Sequence, residues 1–470
     1  MGQNKDQGNK KTAANDLSLN DQMRFRLEKL QGLRDQGLDP FEEVKYEVTA
    51  SAKDIKENFD AYQGKEVAVA GRIMSKRGMG KVSFSDLLDA TDSIQIMARI
   101  NSLGEDKYKA WKDLDLGDQV GIVGEIDKTK TGEVTVKMTD YTLLAKCMRP
   151  LPEKYHGLQD TDTRYRQRYL DLIVNPEVKD TFRKRSKIIS TIRSILDQKN
   201  FIEVETPILN TIPGGASARP FITHHNTLDL DMYLRIAPER YLKRLIVGGF
   251  DRVYEIGRNF RNEGMSYKHN PEFTMIELYQ AYTDYKGMMD LAEELIHESC
   301  LAVNDTDHVV MNGNEISLAR PFRRLTMTEA VQQYADVDFS KIETDEEAFA
   351  LAKEKGIEVE PAWKKGDVLN ALFETFAEEH LIQPTFIYDY PIEVSPLTKK
   401  KPGHPDLTER FELFIGGNEF ANAYSELNDP FDQRERFEAQ LARREAGDDE
   451  ANMVDQDYCL ALDYGLPPTG

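Results

Sequence analysis

Two textures of apolar and polar residues alternate along this chain. Between about residues 64 and 145, apolar side chains recur at every second position, in Val67/Val69, Val82/Phe84, Ile94/Ile96, Val120/Ile122 and Val134/Val136, with glycines between the runs. A period of two belongs to a strand with one buried face, so five short strands are predicted there. Ahead of them, Met23, Leu27, Leu30 and Leu33 recur at helical spacing behind Ser18 and Asp21, and Gly37 before Asp39-Pro40 stops that helix. The first 16 residues are Asn, Gln, Lys and Gly with almost nothing to bury, and are expected to be disordered. Beyond the strands, Asn175-Pro176 opens a helix with the stripe Phe182, Ile188, Ile189, Ile192, Ile195 and Leu196, and residues 201–207 read as a strand ended by Pro207.

Two later stretches pair strand-like runs across glycine-containing loops. The first, residues 254–282, reads YEIGRNFRNEGMSYKHNPEFTMIELYQAY. Alternation would put Arg261 and Glu263 on one side, and Phe273, Met275, Glu277 and Tyr279 together on the return strand. The second, residues 409–427, reads ERFELFIGGNEFANAYSEL and turns at Gly416-Gly417-Asn418. On its return strand Phe420, Asn422, Tyr424 and Glu426 share a face; Glu419 is out of phase with Asn422 and Glu426, so a bulge or the twist of the turn has to bring it round. Between these regions lie a loop at 213–220 with Gly214 and Gly215, a strand at 233–237, and a helix opened by Pro238-Glu239. A helix follows at 284–301, and residues 302–385 read as an inserted or flanking lobe of helices and turns. Two helices close the chain, one at 430–446 and one ending at Gly465.

Composition narrows the class. At 470 residues, two or three domains are expected, and 40% hydrophobic with 30% charged residues describes a soluble globular protein. No run has the length of a membrane span, and the polar N-terminus lacks a signal-peptide core. Cys147, Cys300 and Cys459 are far apart, which favours a reducing cytoplasm and disfavours structural zinc. A net charge of −21 lowers the expectation of nonspecific nucleic-acid binding, yet residues 164–193 hold nine Lys or Arg against three acids, so charge is segregated. There is no P-loop, dinucleotide fingerprint, HExxH or EF-hand loop.

Five short strands with glycine turns fit a small closed barrel, of which the OB fold is the common nucleic-acid-binding form. The segments RNFRNEG and HNPEFTMIELYQAY resemble motif 2 of the class II aminoacyl-tRNA synthetases, in the form carried by the lysine-specific members, and the resemblance runs from the N-terminal helix to the last residue. It implies an α+β protein: a helical arm over 17–63, a five-stranded OB-fold barrel over 64–146 that binds the anticodon, a linker over 147–163, and a catalytic domain over 164–470 with a mainly antiparallel sheet flanked by helices. Arg77, Phe84, Gln95 and Glu133 match the positions that grip the anticodon, and the helix–strand unit ending at Pro207 matches motif 1, which implies a homodimer. The phrase Gly465-Leu-Pro-Pro-Thr-Gly470 precedes motif 3 in the family, so this chain is expected to stop just before that motif.

Activation of an amino acid by ATP needs positioning and electrostatics at the α-phosphate. Arg261 suits a clamp on carboxylate and phosphate and is the expected catalytic residue; Phe273 would stack on adenine, with Glu263, His269 and Asn270 at the nucleotide. Glu412 and Glu419 suit Mg²⁺ bound with ATP. A carboxylate pair also serves hydrolases, but no nucleophile motif accompanies this one. Glu239, Glu277 and Glu426, with Tyr279 and Tyr424, form an acidic set that asks for a cationic amino acid, and the resemblance adds Gly215, Asn422 and Arg261 to a lysine site. The expected partners are therefore tRNA, ATP and L-lysine, with no membrane and no DNA. A synthetase-like binding protein that forms no adenylate, and an aspartyl- or asparaginyl-type enzyme, stand as alternatives.

Overall fold

The structure, a computed structural model, describes residues 5–152, 158–216, 218–266, 269–361, 363–445 and 453–470. The chain divides into two compact units, Met1–Asp180 and Thr181–Gly470.

In the first unit, β1 (Glu66–Met79), β2 (Val82–Leu88), β3 (Ser93–Arg99), β4 (Gln119–Lys128) and β5 (Val134–Ala145) close into a barrel of order β1-β2-β3-β5-β4. The alternation fills it, with Val69, Ile73, Leu87, Ile94, Ile96, Val120, Ile122, Ile126 and Val136 pointing inward and buried. On β2, however, the inward set is Ser83, Ser85 and Leu87, and the expected pair Val82 and Phe84 lies on the outer face. Trp111, from the Glu105–Asp113 helix, belongs to the same core.

The N-terminal helix runs Lys5–Asp35, so the expected disordered tail over 1–16 is helical from Lys5 onward, residues 1–4 lying outside the described set. Apolar content misleads there, because a helix anchored further along extends by one backbone hydrogen bond per residue without burying anything. The anchor is polar as well as apolar: Leu30 is buried, Arg26 donates to the Cys147 carbonyl at 2.6 Å, and Lys29 pairs with Asp115 at 2.7 Å. Arg26 and Lys29 are thus structural ties within this unit.

The linker expected at 147–163, of which residues 153–157 lie outside the described set, does not end the first unit. The Thr161–Arg166 and Arg168–Val174 helices belong with the barrel, and Lys179 reaches the Asp89 carbonyl at 3.5 Å.

The second unit begins within the Glu177–Gln198 helix. Its strands are β6 (Ile202–Glu203), β7 (Leu209–Asn210), β8 (Ile222–His225), β9 (Leu230–Leu234), β10 (Arg252–Phe260), β11 (Glu272–Gln280), β12 (His308–Met311), β13 (Asn314–Ser317), β14 (Arg323–Thr326), β15 (Thr385–Tyr388), β16 (Lys400–Lys401), β17 (His404–Thr408), β18 (Arg410–Phe414) and β19 (Glu419–Tyr424). They form sheets of order β11-β10-β6, β14-β15-β18-β19 and β7-β9-β8, with β12-β13 and β16-β17 as separate pairs. Pairing is antiparallel except at β10·β6 and β14·β15.

Three expectations change here. The strand read over 201–207 shrinks to Ile202–Glu203, leaving Pro207 in coil. The strand read over 233–237 is shifted back to Leu230–Leu234, and Pro238 sits at the N-cap of the next helix. The lobe at 302–385 is not all helix and turn: it holds the β12–β13 hairpin, and it supplies the edge strand β14 and the start of its neighbour β15 in the four-stranded sheet. Strands of four residues carry too few apolar positions to show a period.

Candidate active site

β10 and β11 pair without a break, Arg252 opposite Gln280 through Phe260 opposite Glu272. The ladder stops at Phe260, so Arg261 and Glu263 lie past the strand and the alternation expected for them does not apply. Arg261 is instead held by its amide, which donates to the Pro271 carbonyl at 2.9 Å, and its guanidinium lies 5.1 Å from the centre of the Phe273 ring. Its Nε is buried with no hydrogen-bond partner among the described residues. Glu263, His269 and Asn270 are exposed in the connecting loop, where His269 Nδ1 meets Ser266 Oγ at 2.8 Å; Tyr267 and Lys268 of that loop lie outside the described residues.

The acidic set converges. Glu239 opens the Glu239–Val247 helix, Glu277 comes from β11, and Glu426 follows β19. Gly215, at φ +91, packs where a Cβ would meet the Glu239 Cβ at 3.1 Å and the Ala237 Cβ at 3.2 Å, so the 213–220 loop, whose Ser217 lies outside the described residues, runs close along the pocket. Tyr279 donates to Glu277 at 3.1 Å, and the Tyr424 hydroxyl donates to Glu239. Burial raises Glu277 to about 8, Glu239 adds to it, and Tyr279, Lys243 and Arg261 oppose it. Burial likewise raises Glu426 to about 8, against the pull of Lys243 and with the help of Glu239.

Of the two ways to bring Glu419 round, the second hairpin uses a bulge. Glu412 pairs with Asn422, and a register shift between Leu413 and Phe414 sets Phe414 opposite Glu419. Gly416 and Gly417 make the turn at φ +62 and +67, where a side chain would be strained. Glu412 and Glu419 line one cavity of about 290 Å³, with Arg410, Glu378 and Phe373 in its wall. Arg410 pairs with Glu412 at 2.5 Å, while Tyr390 donates to Glu412 at 2.8 Å and Asn422 at 3.2 Å. Burial and the neighbouring Glu412 raise Glu419 to about 7, with Arg410 and Arg261 opposing. Arg261 therefore acts on Glu277 on one side and Glu419 on the other, which joins the two hairpins into one electrostatic unit. Among the described residues no group of three or more His, Cys, Asp or Glu could hold a metal. Two carboxylates lining one cavity are nonetheless a fit for a cation that takes its remaining ligands from phosphate and water.

In the barrel, the four residues read as anticodon contacts share one outer face. Arg77 is directly opposite Phe84, Asp86 two residues on is opposite Gln95, and Gln95 accepts from Thr135 at 2.9 Å, two residues after Glu133. Phe84 is half-buried between the inward Ser83 and Ser85, so it is not a core residue.

Sequence reasoning missed Lys243, Tyr458 and Arg410. The signals were present: Lys243 is four residues after Glu239 on a helix, and Arg410 is two before Glu412 on a strand.

A closed five-stranded barrel and a sheet-borne cluster of converging acids near Arg261 are the architecture of a synthetase with an OB-fold appendix, and the family comparisons agree. Residues 160–470 match the class II tRNA synthetases (D, K and N), and residues 67–144 match an OB-fold nucleic acid binding domain, so the chain belongs to the class II tRNA synthetases. Within that class its similarity is to lysine–tRNA ligases: that of Clostridium novyi is 56% identical over 98% of this chain and 91% of the relative. Those of Thermoanaerobacter pseudethanolicus and Clostridium perfringens are 55% and 57% identical over 97% and 96% of the chain, each covered over 91%.

Proposed function

We infer that this chain is a lysine–tRNA ligase: lysine and ATP give lysyl-adenylate and pyrophosphate, and the lysyl group then passes to the 3′-terminal ribose of its tRNA. The observation that carries this is the convergence of Glu239, Glu277 and Glu426 beside Arg261, an anionic pocket next to a phosphate-suited cation. Arg261 would bind the lysine carboxylate and the α-phosphate, bringing the attacking oxygen to phosphorus, with Phe273 against adenine and Glu263, His269 and Asn270 at the edge of the nucleotide. Gly215, Tyr279, Asn422 and Tyr424 would complete the amino-acid site around the three acids. Glu412 and Glu419 would hold Mg²⁺, which when bound offsets the charge of the triphosphate. An acidic amino acid as substrate is disfavoured by the same carboxylates. Lysine-dependent ATP–pyrophosphate exchange by the full-length protein tests the reading: binding of lysine without exchange would leave an amino-acid-binding relative instead.

The shared outer face of Arg77, Phe84, Gln95 and Glu133 supports anticodon recognition by stacking and hydrogen bonding. Phe84→Ala is expected to raise the KM for tRNA about tenfold, within the ~1–3 kcal/mol of one stacked base. Pyrophosphate exchange should stay near normal; a loss of both activities would make Phe84 structural.

Homodimerisation through the region around Pro207 is supported by the exposed apolar side chains Ile202, Ile208, Leu209, Ile222, Leu228 and Leu230. Sedimentation should give twice the chain mass, and an Ile222→Glu/Leu228→Glu variant should shift toward the monomer. A wild-type chain that sediments as a monomer at micromolar concentration would end this proposal. The thiols of Cys147, Cys300 and Cys459 are all unpaired, in keeping with a cytoplasmic location, and no described helix is long and apolar enough to cross a membrane.

A further inference from the structure

The acidic pocket already contains a cation of its own. Lys243 is fully buried one turn along the helix from Glu239, and its ammonium is ion-paired with both Glu239 and Glu426, with the Tyr424 ring centre 5.5 Å away. The groups that face this cluster come from every element around it. Glu239 and Arg240 come from the same helix, Glu277 and Tyr279 from β11, Tyr424 and Glu426 from the end of β19, Tyr458 from the Gln456–Asp463 helix, and Arg261 from beyond β10. Burial by itself lowers the proton affinity of Lys243, but Glu239 and Glu426 outweigh it and hold it well above the usual lysine range. It is therefore a permanent ammonium.

A buried ammonium costs several kcal/mol to desolvate, so its presence between two carboxylates of a cation-binding pocket calls for a reason. Counting charges supplies one. Glu239, Glu277 and Glu426 carry three negative charges when ionised, and Lys243 carries one positive charge. The Arg240 guanidinium is balanced by Asp455 at 3.5 Å, so two negative charges remain. A diamino acid brings two ammonium groups, and its carboxylate has Arg261.

We propose that Lys243 is a positioning residue that sets the charge count of the amino-acid pocket, holding Glu239 and Glu426 together so that two carboxylate charges await two ligand ammonium groups. Lysine binding then displaces a proton from the pocket. This rests on the lysine-activating reading of the same site. Glu277, raised by burial to about 8, carries a proton at neutral pH until a cation takes its place, whereas Glu426 already has the Lys243 ammonium as its ion-pair partner. An ammonium group binds the ionised form, so binding lowers the proton affinity of Glu277 and expels its proton below about pH 8. Lysine affinity accordingly weakens as pH falls from 8 toward 6, and levels off above 8.

Titration calorimetry of lysine into the complete chain at pH 7, in two buffers of different ionisation enthalpy, reads the proton count directly. The expected result is a net release approaching about one proton per lysine; binding with no release overturns the proposal. Lys243→Met should raise the KM for lysine roughly 30-fold or more, leave the KM for ATP little changed, and move the midpoint of the lysine pH profile upward, because the Glu239–Glu426 pair loses its cation. Lys243→Arg should keep the wild-type midpoint. If the methionine variant raises both KM values together with the midpoint unmoved, Lys243 is a structural strut and the proposal falls. Should that variant not fold, the wild-type calorimetry decides alone. Failure of the wild-type chain to bind lysine at all would instead sink the lysine assignment, so the two failures are distinct.

Discussion

Replacing Arg261 with alanine is expected to lower lysine-dependent ATP–pyrophosphate exchange by roughly 10²–10³-fold, the usual loss for one preorganised electrostatic group at a reacting centre. Three observations set the size of the effect. The guanidinium lies over Phe273, so its plane is fixed before a nucleotide arrives. Its Nε is buried with no partner among the described residues, a donor left for something other than the protein. Its charge acts on both Glu277 and Glu419, which puts it between the amino-acid pocket and the acid pair proposed to hold metal. Arg261→Lys should recover little, because an ammonium neither stacks on Phe273 nor offers two parallel donors. Exchange kinetics and a melting temperature together check the claim: activity should collapse with Tm nearly unchanged. A Tm loss that accounts for the missing activity would mean that Arg261 only fastens its hairpin.

Much of this site was legible in the sequence because strand alternation is local. The face shared by Phe273, Glu277 and Tyr279 follows from the nine-residue register of β10 and β11, and the need to bring Glu419 round follows from its phase relative to Asn422 and Glu426. The barrel was legible for the same reason. What the period of two cannot carry is where a strand stops. The β10 ladder ends at Phe260, which removes the basis for grouping Arg261 with Glu263. Helical length is equally invisible to burial patterns, as the helix from Lys5 shows. Pairings made across hundreds of residues are invisible too. Lys243 sits against Glu239 at readable helical spacing, but its second partner, Glu426, is 183 positions further along (426 − 243) and is supplied only by the folded chain.

Glu426→Gln is expected to raise the KM for lysine by about 30-fold or more, the range for removing one member of a buried charge contact, while the KM for ATP stays close to that of the unaltered chain. The split follows from geometry. Glu426 is fixed by its backbone amide, which donates to the Thr469 carbonyl at 2.8 Å, so an amide side chain of the same shape remains in register. Lys243 keeps Glu239 as an ion-pair partner, which spares the fold the cost of an isolated buried charge. The cavity that holds Glu412 and Glu419 shares no lining residue with the Glu239, Glu277 and Glu426 cluster, so the nucleotide side has no direct reason to change. Equal losses for lysine and ATP would contradict the separation of the two pockets and make the Lys243–Glu426 contact a strut between the Glu239–Val247 helix and the end of β19. A gain in binding of aspartate or asparagine without a loss for lysine would be more damaging, since the pocket would then not be reading positive charge. The predicted asymmetry therefore tests the element on which substrate choice depends: a carboxylate whose partner in the protein is itself an ammonium, set where a second ammonium must enter.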